Sequence, residues 1–339
     1  MSSIPISLLR YLFVCRVTAS LARVHGNPAV ALSRILGETI AARLPTVDAR
    51  PWHKSMAAWE TCQAEKSNTK RMVYMGRHRY AAVPTDPWPI AAALCFYPAK
   101  KRFGEGELVL WELKLMGTSA DHGHFLEVIL PAVEDIGYRL NPELADSNSL
   151  WGSFELKGVY VAHGARWAPL VENGQLDLRY RPTPTQWSDG WARRFDPTRG
   201  FTRLEWLNPF SLKVLVGEHR RMIKVPSVRN ILNAWVERMA VLLAGRNAPP
   251  EAFWDLMSEA EADALRAAFV QADTIPMSRY DFRSVPAPWP GQWVGRQTFT
   301  LPISGELIPY LALAAMFHVG EYTHYGCGTF LLNEDSRKR

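Results

Sequence analysis

Cysteine is scarce. The 339 residues hold four, Cys15, Cys62, Cys95 and Cys327, and none forms a CxxC pair. That spacing argues against a disulfide framework and against a zinc module, and it suits a reducing cytoplasm. Long apolar runs are missing too. The amino-terminal stretch SSIPISLLRYLFVCRV is interrupted by Arg10 and Arg16, and no clean small-residue cleavage site follows, so it reads as a strand and not a signal peptide. No uncharged apolar run reaches transmembrane length, so a soluble protein with no membrane partner is expected. Charge of one sign does not dominate: 39 Lys and Arg stand against 33 Asp and Glu, a net +6. So modest an excess favours a polyanionic partner without demanding one.

What is present fits a globular protein of two domains. Hydrophobic residues make up 47% and charged residues 21% of the chain, enough to bury a sizeable core. Leu8 to Ala19 is apolar and β-branched, with Arg10 and Arg16 at the same parity and so on one face. His25-Gly26-Asn27-Pro28 predicts a turn and a helix start, with Asn27 as N-cap and Pro28 at the first helical position, leading into a helix over Ala29 to Arg43. Residues 45 to 70 read as irregular. Strands are predicted over Arg71 to Val83, Ile90 to Tyr97, Glu107 to Met116 and Leu150 to Val161, with a helix over Phe125 to Ile136. Lys100, Lys101 and Arg102 read as a solvated basic turn. This β-α-β-β-(β)-α-β order is within reach of the ferredoxin-like pattern. A second cycle follows a Pro-, Trp- and Arg-rich bridge at 166–200. It comprises a strand over Phe201 to Val216 broken near Asn208-Pro209, a helix from Ser227 to Leu243 capped by Ser227, and a helical insertion over Pro249 to Gln271. A strand over Trp293 to Ile303, a helix over Leu307 to Phe317 and a strand over Thr329 to Asn333 complete it. The boundaries read as 1–165, 166–200 and 201–339.

The most informative segment is His318 to Leu332, HVGEYTHYGCGTFLL, in which Gly320, Gly326 and Gly328 lie between a helix and a strand. Such glycines let the backbone approach a polyanion and offer successive amides to phosphate oxygens. No GKS or GKT ending is present, so this is not a nucleotide-binding P-loop. The loop resembles the carboxyl-terminal signature of the RAMP superfamily of CRISPR-associated proteins, and within it the repeat-processing endoribonuclease, the sixth Cas family. Leu113 to Ile136, Phe201 to Leu243 and Gly291 to Leu313 resemble that family's other segments in the same order. Members often carry Lys or Arg just after the first loop glycine; here the residue is Glu321.

The resemblance implies an α+β protein of two tandem ferredoxin-like (RRM-like) domains whose antiparallel sheets face a shared cleft. It implies a metal-independent endoribonuclease that binds CRISPR repeat RNA and cleaves precursor CRISPR RNA. A ribose 2′-OH attacks the adjacent phosphate, leaving 2′,3′-cyclic phosphate and 5′-OH ends. Other Cas proteins of an effector complex are implied as partners. The alternative is a non-catalytic RAMP subunit that binds CRISPR RNA. A third reading, free of the family, is a basic domain pair binding some other RNA or protein. The reaction needs a base, an acid and cations or amides for the phosphorane charge; histidine and arginine suit these roles. His25 and His324 are the catalytic candidates, flanking one phosphate if the domains face each other. His318 reads as a hydrogen-bonded core residue. Tyr322 and Tyr325 read as stacking or phosphate-binding residues, or as strand-edge packing. The segment VGEHRRMIKV predicts a hairpin carrying His219, Arg220, Arg221 and Lys224, suited to stem-loop RNA or simply solvated. Arg193 and Arg194, with Trp187 and Trp191, form a second basic-aromatic cluster suited to unpaired bases, or a linker with its tryptophans inward. Arg10 and Arg16 complete the RNA-binding set. His122 and His124 lack a second ligand pair, so no metal is expected, and no cofactor.

Overall fold

The computed structural model describes residues 6–73, 83–97, 100–138, 148–172, 174–191, 200–216, 219–286, 289–303 and 305–333. The chain divides into two compact units. The first is Ser7–Asp189 with Ala287–Trp289; the second is Gly190–Pro286 and Pro290–Arg339 with the first six residues.

The first unit opens with β1 (Leu8–Val17), β2 (Leu21–Arg23), α1 (Pro28–Arg43) and α2 (Thr46–Val73). β3 (Ala92–Tyr97), β4 (Arg102–Gly104) and β5 (Leu108–Met116) follow. A helical run then passes from α3 (His122–His124) through a π-helical turn at Phe125–Ile129 into α4 (Leu130–Tyr138). β6 (Phe154–His163), β7 (Arg166–Glu172) and β8 (Gln175–Leu176) close it. The sheet runs β3-β5-β1-β6-β7-β8, every pair antiparallel, with β2 and β4 as a separate ribbon. β1, α1, β3, β5, α4 and β6 thus make one β-α-β-β-α-β unit, extended by two strands. The odd residues of β1 face the helices: Tyr11 stacks on Phe125 at 3.6 Å between ring centroids, and Phe13 stacks on Trp111 at 3.9 Å. α1 starts as the sequence requires, because the Asn27 side chain accepts from the amides of Ala29 and Val30 and Pro28 has no amide to satisfy.

Three sequence expectations are corrected here. Residues 46–73 are one helix, not irregular, and Pro51 sits inside it. Residues 71–73 end that helix, Val83 lies in a bend, and the rest of the strand expected over 71–83 falls outside the described residues, as does His78. The bridge expected at 166–200 is mostly sheet and turn of the first unit: β7 pairs with β6, and Pro169 is accommodated beside a register shift at Val159/Tyr160.

The second unit holds β9 (Phe201–Trp206), β10 (Leu212–Val216), β11 (His219–Ile223), α5 (Val228–Ala244), α6 (Glu251–Trp254) and α7 (Glu259–Asp273). β12 (Met277–Ser284), β13 (Trp293–Ile303), α8 (Ile308–Phe317) and β14 (Phe330–Asn333) complete it. Its sheet runs β12-β13-β9-β14, all antiparallel, and β10–β11 is a hairpin inserted before α5. β9, α5, β12, β13, α8 and β14 form a second β-α-β-β-α-β unit. Ser227 caps α5 through a reciprocal box with Asn230. Trp235 is fully buried, with Phe253 and Tyr310 edge-on at 5.4 and 5.7 Å. β12 is an edge strand that is not among the strands expected from the sequence. No described helix is long and apolar enough to cross a membrane.

Candidate nucleic-acid interface

The glycine-rich loop joins α8 to β14 and is wound inward. His318 and Tyr322 take positive φ values of 62° and 60°, and Gly320, Gly326 and Gly328 take 85°, 76° and 78°. A Cβ on Gly320 would lie 2.2 Å from the Ser211 carbonyl oxygen, and one on Gly328 would lie 1.9 Å from that of Val319. These two positions accept only glycine, for backbone geometry and for close approach. The amide of Val319 donates to Gly328, that of Glu321 to Ser211 and that of Gly328 to Pro209, while Tyr325 and Gly326 donate within the Thr323–Tyr325 turn. The phosphate cradle expected of these glycines is therefore corrected in part: at these five amides the close approach is chain to chain.

The loop side chains follow the same pattern. His318 is fully buried, with Nδ1 3.0 Å from the Cys327 carbonyl oxygen, as a core histidine should be. His324 is 4% exposed, its ring edge-on to Tyr325 at 5.1 Å. Tyr325 is buried as well, which leaves Tyr322 the more open of the two tyrosines. Glu321 is ion-paired with Lys213 of β10, so the departure from a cation at this position ties the loop to the hairpin.

His25 belongs to the first unit. It is exposed, in the turn before α1, next to Gly26 at φ 71°. Arg10 is corrected from an RNA contact to part of an internal network. Its Nε lies 2.5 Å from Glu112, which is almost fully buried and also accepts from the Tyr97 hydroxyl at 3.0 Å. The guanidinium sits 5.1 Å from the Trp167 ring centroid. Burial pushes the Glu112 carboxyl up, but Arg10 and Lys114 outweigh that and hold it below the usual range. Lys114 is pushed down by burial, partly offset by Glu112. Arg16 is half exposed and pairs with Glu155 at 2.8 Å.

On the hairpin, His219, Arg221 and Lys224 are exposed, whereas Arg220 makes a two-pronged pair with Glu237 at 3.1 and 3.2 Å. Arg193 and Arg194 lie outside the described residues; Trp187 is buried, on the inward reading of that cluster. The Lys100–Arg102 turn is partly structured: Lys100 pairs with Glu107 at 2.7 Å and Arg102 opens β4. His122 is a positioning group for the core, its Nδ1 3.0 Å from the Tyr11 hydroxyl, and burial pushes its imidazole down. His53 lies exposed on α2.

Sequence reasoning missed the helix-free face of the second sheet. Register places Arg279, Asp281 and Arg283 of β12 opposite Thr298, Arg296 and Val294 of β13, with Arg296 and Thr298 opposite Glu205 and Arg203 of β9. Arg279, Arg283 and Arg296 are exposed, and no ion pair is found for them among the described residues. The signal was available: in MSRYDFRS the aromatics Tyr280 and Phe282 alternate with charged residues.

No family model matches the sequence, and no curated protein is similar to it. Solved structures are similar in fold. A chain of a partial Cas6-RT-Cas1–Cas2 complex superposes at a TM-score of 0.52 and 13% identity, over 98% of this chain and 47% of that one. The chain has the fold of Cas6. It spans about half the length of the matched chain of that complex. A Cas6 product complex gives 0.47 and 17% identity, over 96% of this chain and 100% of that one. Thermus thermophilus Cas6 gives 0.46 and 14%, over 97% and 100%.

Proposed function

We propose that this protein is an endoribonuclease that binds CRISPR repeat RNA and cuts precursor CRISPR RNA. The observation that carries the reading is the pair of complete β-α-β-β-α-β units, the second with a positive-φ glycine turn before its last strand, on a fold matched over 98% of the chain by part of a longer chain in a Cas6-RT-Cas1–Cas2 complex. The cleavage proposed is metal-independent. The 2′-OH loses its proton as its oxygen bonds to phosphorus, the P–O5′ bond breaks, and the 5′-oxygen takes up a proton, leaving a 2′,3′-cyclic phosphate. His25 is the accessible proton-transfer candidate; His324 must be uncovered before it can exchange a proton. His219, Arg221 and Lys224 are the exposed hairpin groups that would meet phosphate or 2′-OH. Association with other Cas proteins in the cytoplasm belongs to the same proposal.

A second reading, a RAMP subunit that holds CRISPR RNA without cutting it, draws on the burial of His324. Single-turnover cleavage of the host repeat RNA separates them. On the first reading, His25→Ala or His324→Ala loses about 100-fold or more in rate, the usual share of a general acid or base, with binding retained. On the second, wild type binds the RNA and leaves it intact.

A further inference from the structure

We infer that the β12 edge of the second unit holds one unpaired nucleobase of a single-stranded RNA segment, on a platform made by Tyr280, Lys224 and Trp293. The inference rests on the RNA-binding part of the reading above. Lys224 follows the last residue of β11, and its ammonium lies 4.8 Å from the Trp293 ring centroid and 5.9 Å from that of Tyr280. No carboxylate pairs with it among the described residues. Several described surface cations differ in this: Arg16, Arg34, Arg43, Lys100, Arg220 and Arg229 each pair with an acid.

Tyr280 is 47% exposed, and Phe282 stacks against it at 5.6 Å and 25°. Phe282 and Lys224 thus hold the ring in place while nearly half of the side chain stays open to solvent. An aromatic face of this kind takes any base, and the adjacent ammonium supplies the charge that a phosphate needs. Arg279 and Arg283 flank Tyr280 on the same strand at the opposite parity, both exposed. A strand of RNA crossing this edge meets the ring with a base and the two guanidiniums with phosphates. The edge position of β12 leaves that path open on one side. An acidic protein segment would satisfy the arginines but has no use for the ring, so the aromatic member decides for RNA.

The test uses the full chain with two probes, a short oligouridylate and inorganic polyphosphate, followed by fluorescence anisotropy with labelled probe and by competition. Tyr280→Ala should weaken oligouridylate binding about tenfold, while Tyr280→Phe, which keeps the ring face, should stay within about twofold. Lys224→Ala should weaken it too and flatten its salt dependence. Polyphosphate binding should ignore Tyr280→Ala and fall with the Arg279→Ala, Arg283→Ala double variant. Oligouridylate binding that is absent in wild type, or equal in Tyr280→Ala and wild type, overturns the inference. Should the host repeat RNA go uncut while the Tyr280 effect on oligouridylate holds, the nuclease reading fails and the base platform stands. Loss in Tyr280→Ala on both probes alike would mark a general polyanion or acidic-protein surface and also overturn it.

Discussion

The two units share one topology and use charge in opposite ways on their helix-free sheet faces. On the first, Glu112 and Lys114 sit buried on β5 with Arg10 of β1 partly buried beside them, and Arg16 and Lys157 share Glu155. On the second, Arg279, Arg283 and Arg296 stand exposed along β12 and β13. A buried cation costs several kcal/mol unless paired, so the first face is locked by its own partners. An exposed unpaired cation costs little and is ready for a phosphate. The same fold thus supplies one face locked by its own partners and one left open, as the proposed RNA recognition requires.

The largest way to break this comparison is Glu112→Gln. It removes the buried carboxylate that pairs with Arg10 and faces Lys114, and should cost about 3–5 kcal/mol in chemical denaturation. Gly328→Ala should also destabilise strongly, by more than about 2 kcal/mol, because it adds a left-handed backbone penalty to a clash with Val319. Acid titration sharpens the contrast. The Glu112 carboxyl is held low in the folded state, so its contribution is fully present above about pH 4.3, the unfolded value, and is lost as pH falls through the lower folded value. Glu112→Gln should remove that part of the acid limb. For RNA, replacing Arg279, Arg283 and Arg296 together by Ala should lower the slope of log K against log salt by about 0.7 for each phosphate that is no longer neutralised. The smallest effect belongs to Arg16→Ala. Its half-exposed pair is worth at most about 1 kcal/mol, and denaturation should show no more than that.

Much of this fold was legible from local chemistry. Asn27-Pro28 and Ser227 name their helices because caps act over three residues, and Trp293 to Ile303 was found with its full bounds. α2 was hidden by Pro51 and by a polar composition without a clear apolar stripe. β7 was hidden because Pro169 in a strand reads as a break, and the register shift beside it, where Leu170 is the extra residue, exists only in the pairing with β6. The glycine loop shows the limit at the site. Its sequence announced a close backbone approach, but the partners Ser211 and Pro209 come from more than a hundred residues away. The burial of Tyr325 and His324 is likewise tertiary, and no spacing within HVGEYTHYGCGTFLL encodes it.

The most direct measurement is end-group analysis of the host repeat RNA after incubation with the protein in EDTA. The account predicts a single cut whose upstream fragment ends in a 2′,3′-cyclic phosphate and whose downstream fragment begins with a 5′-hydroxyl. An intact RNA under these conditions, or a product with a 5′-phosphate that forms only when a divalent metal is restored, would contradict it.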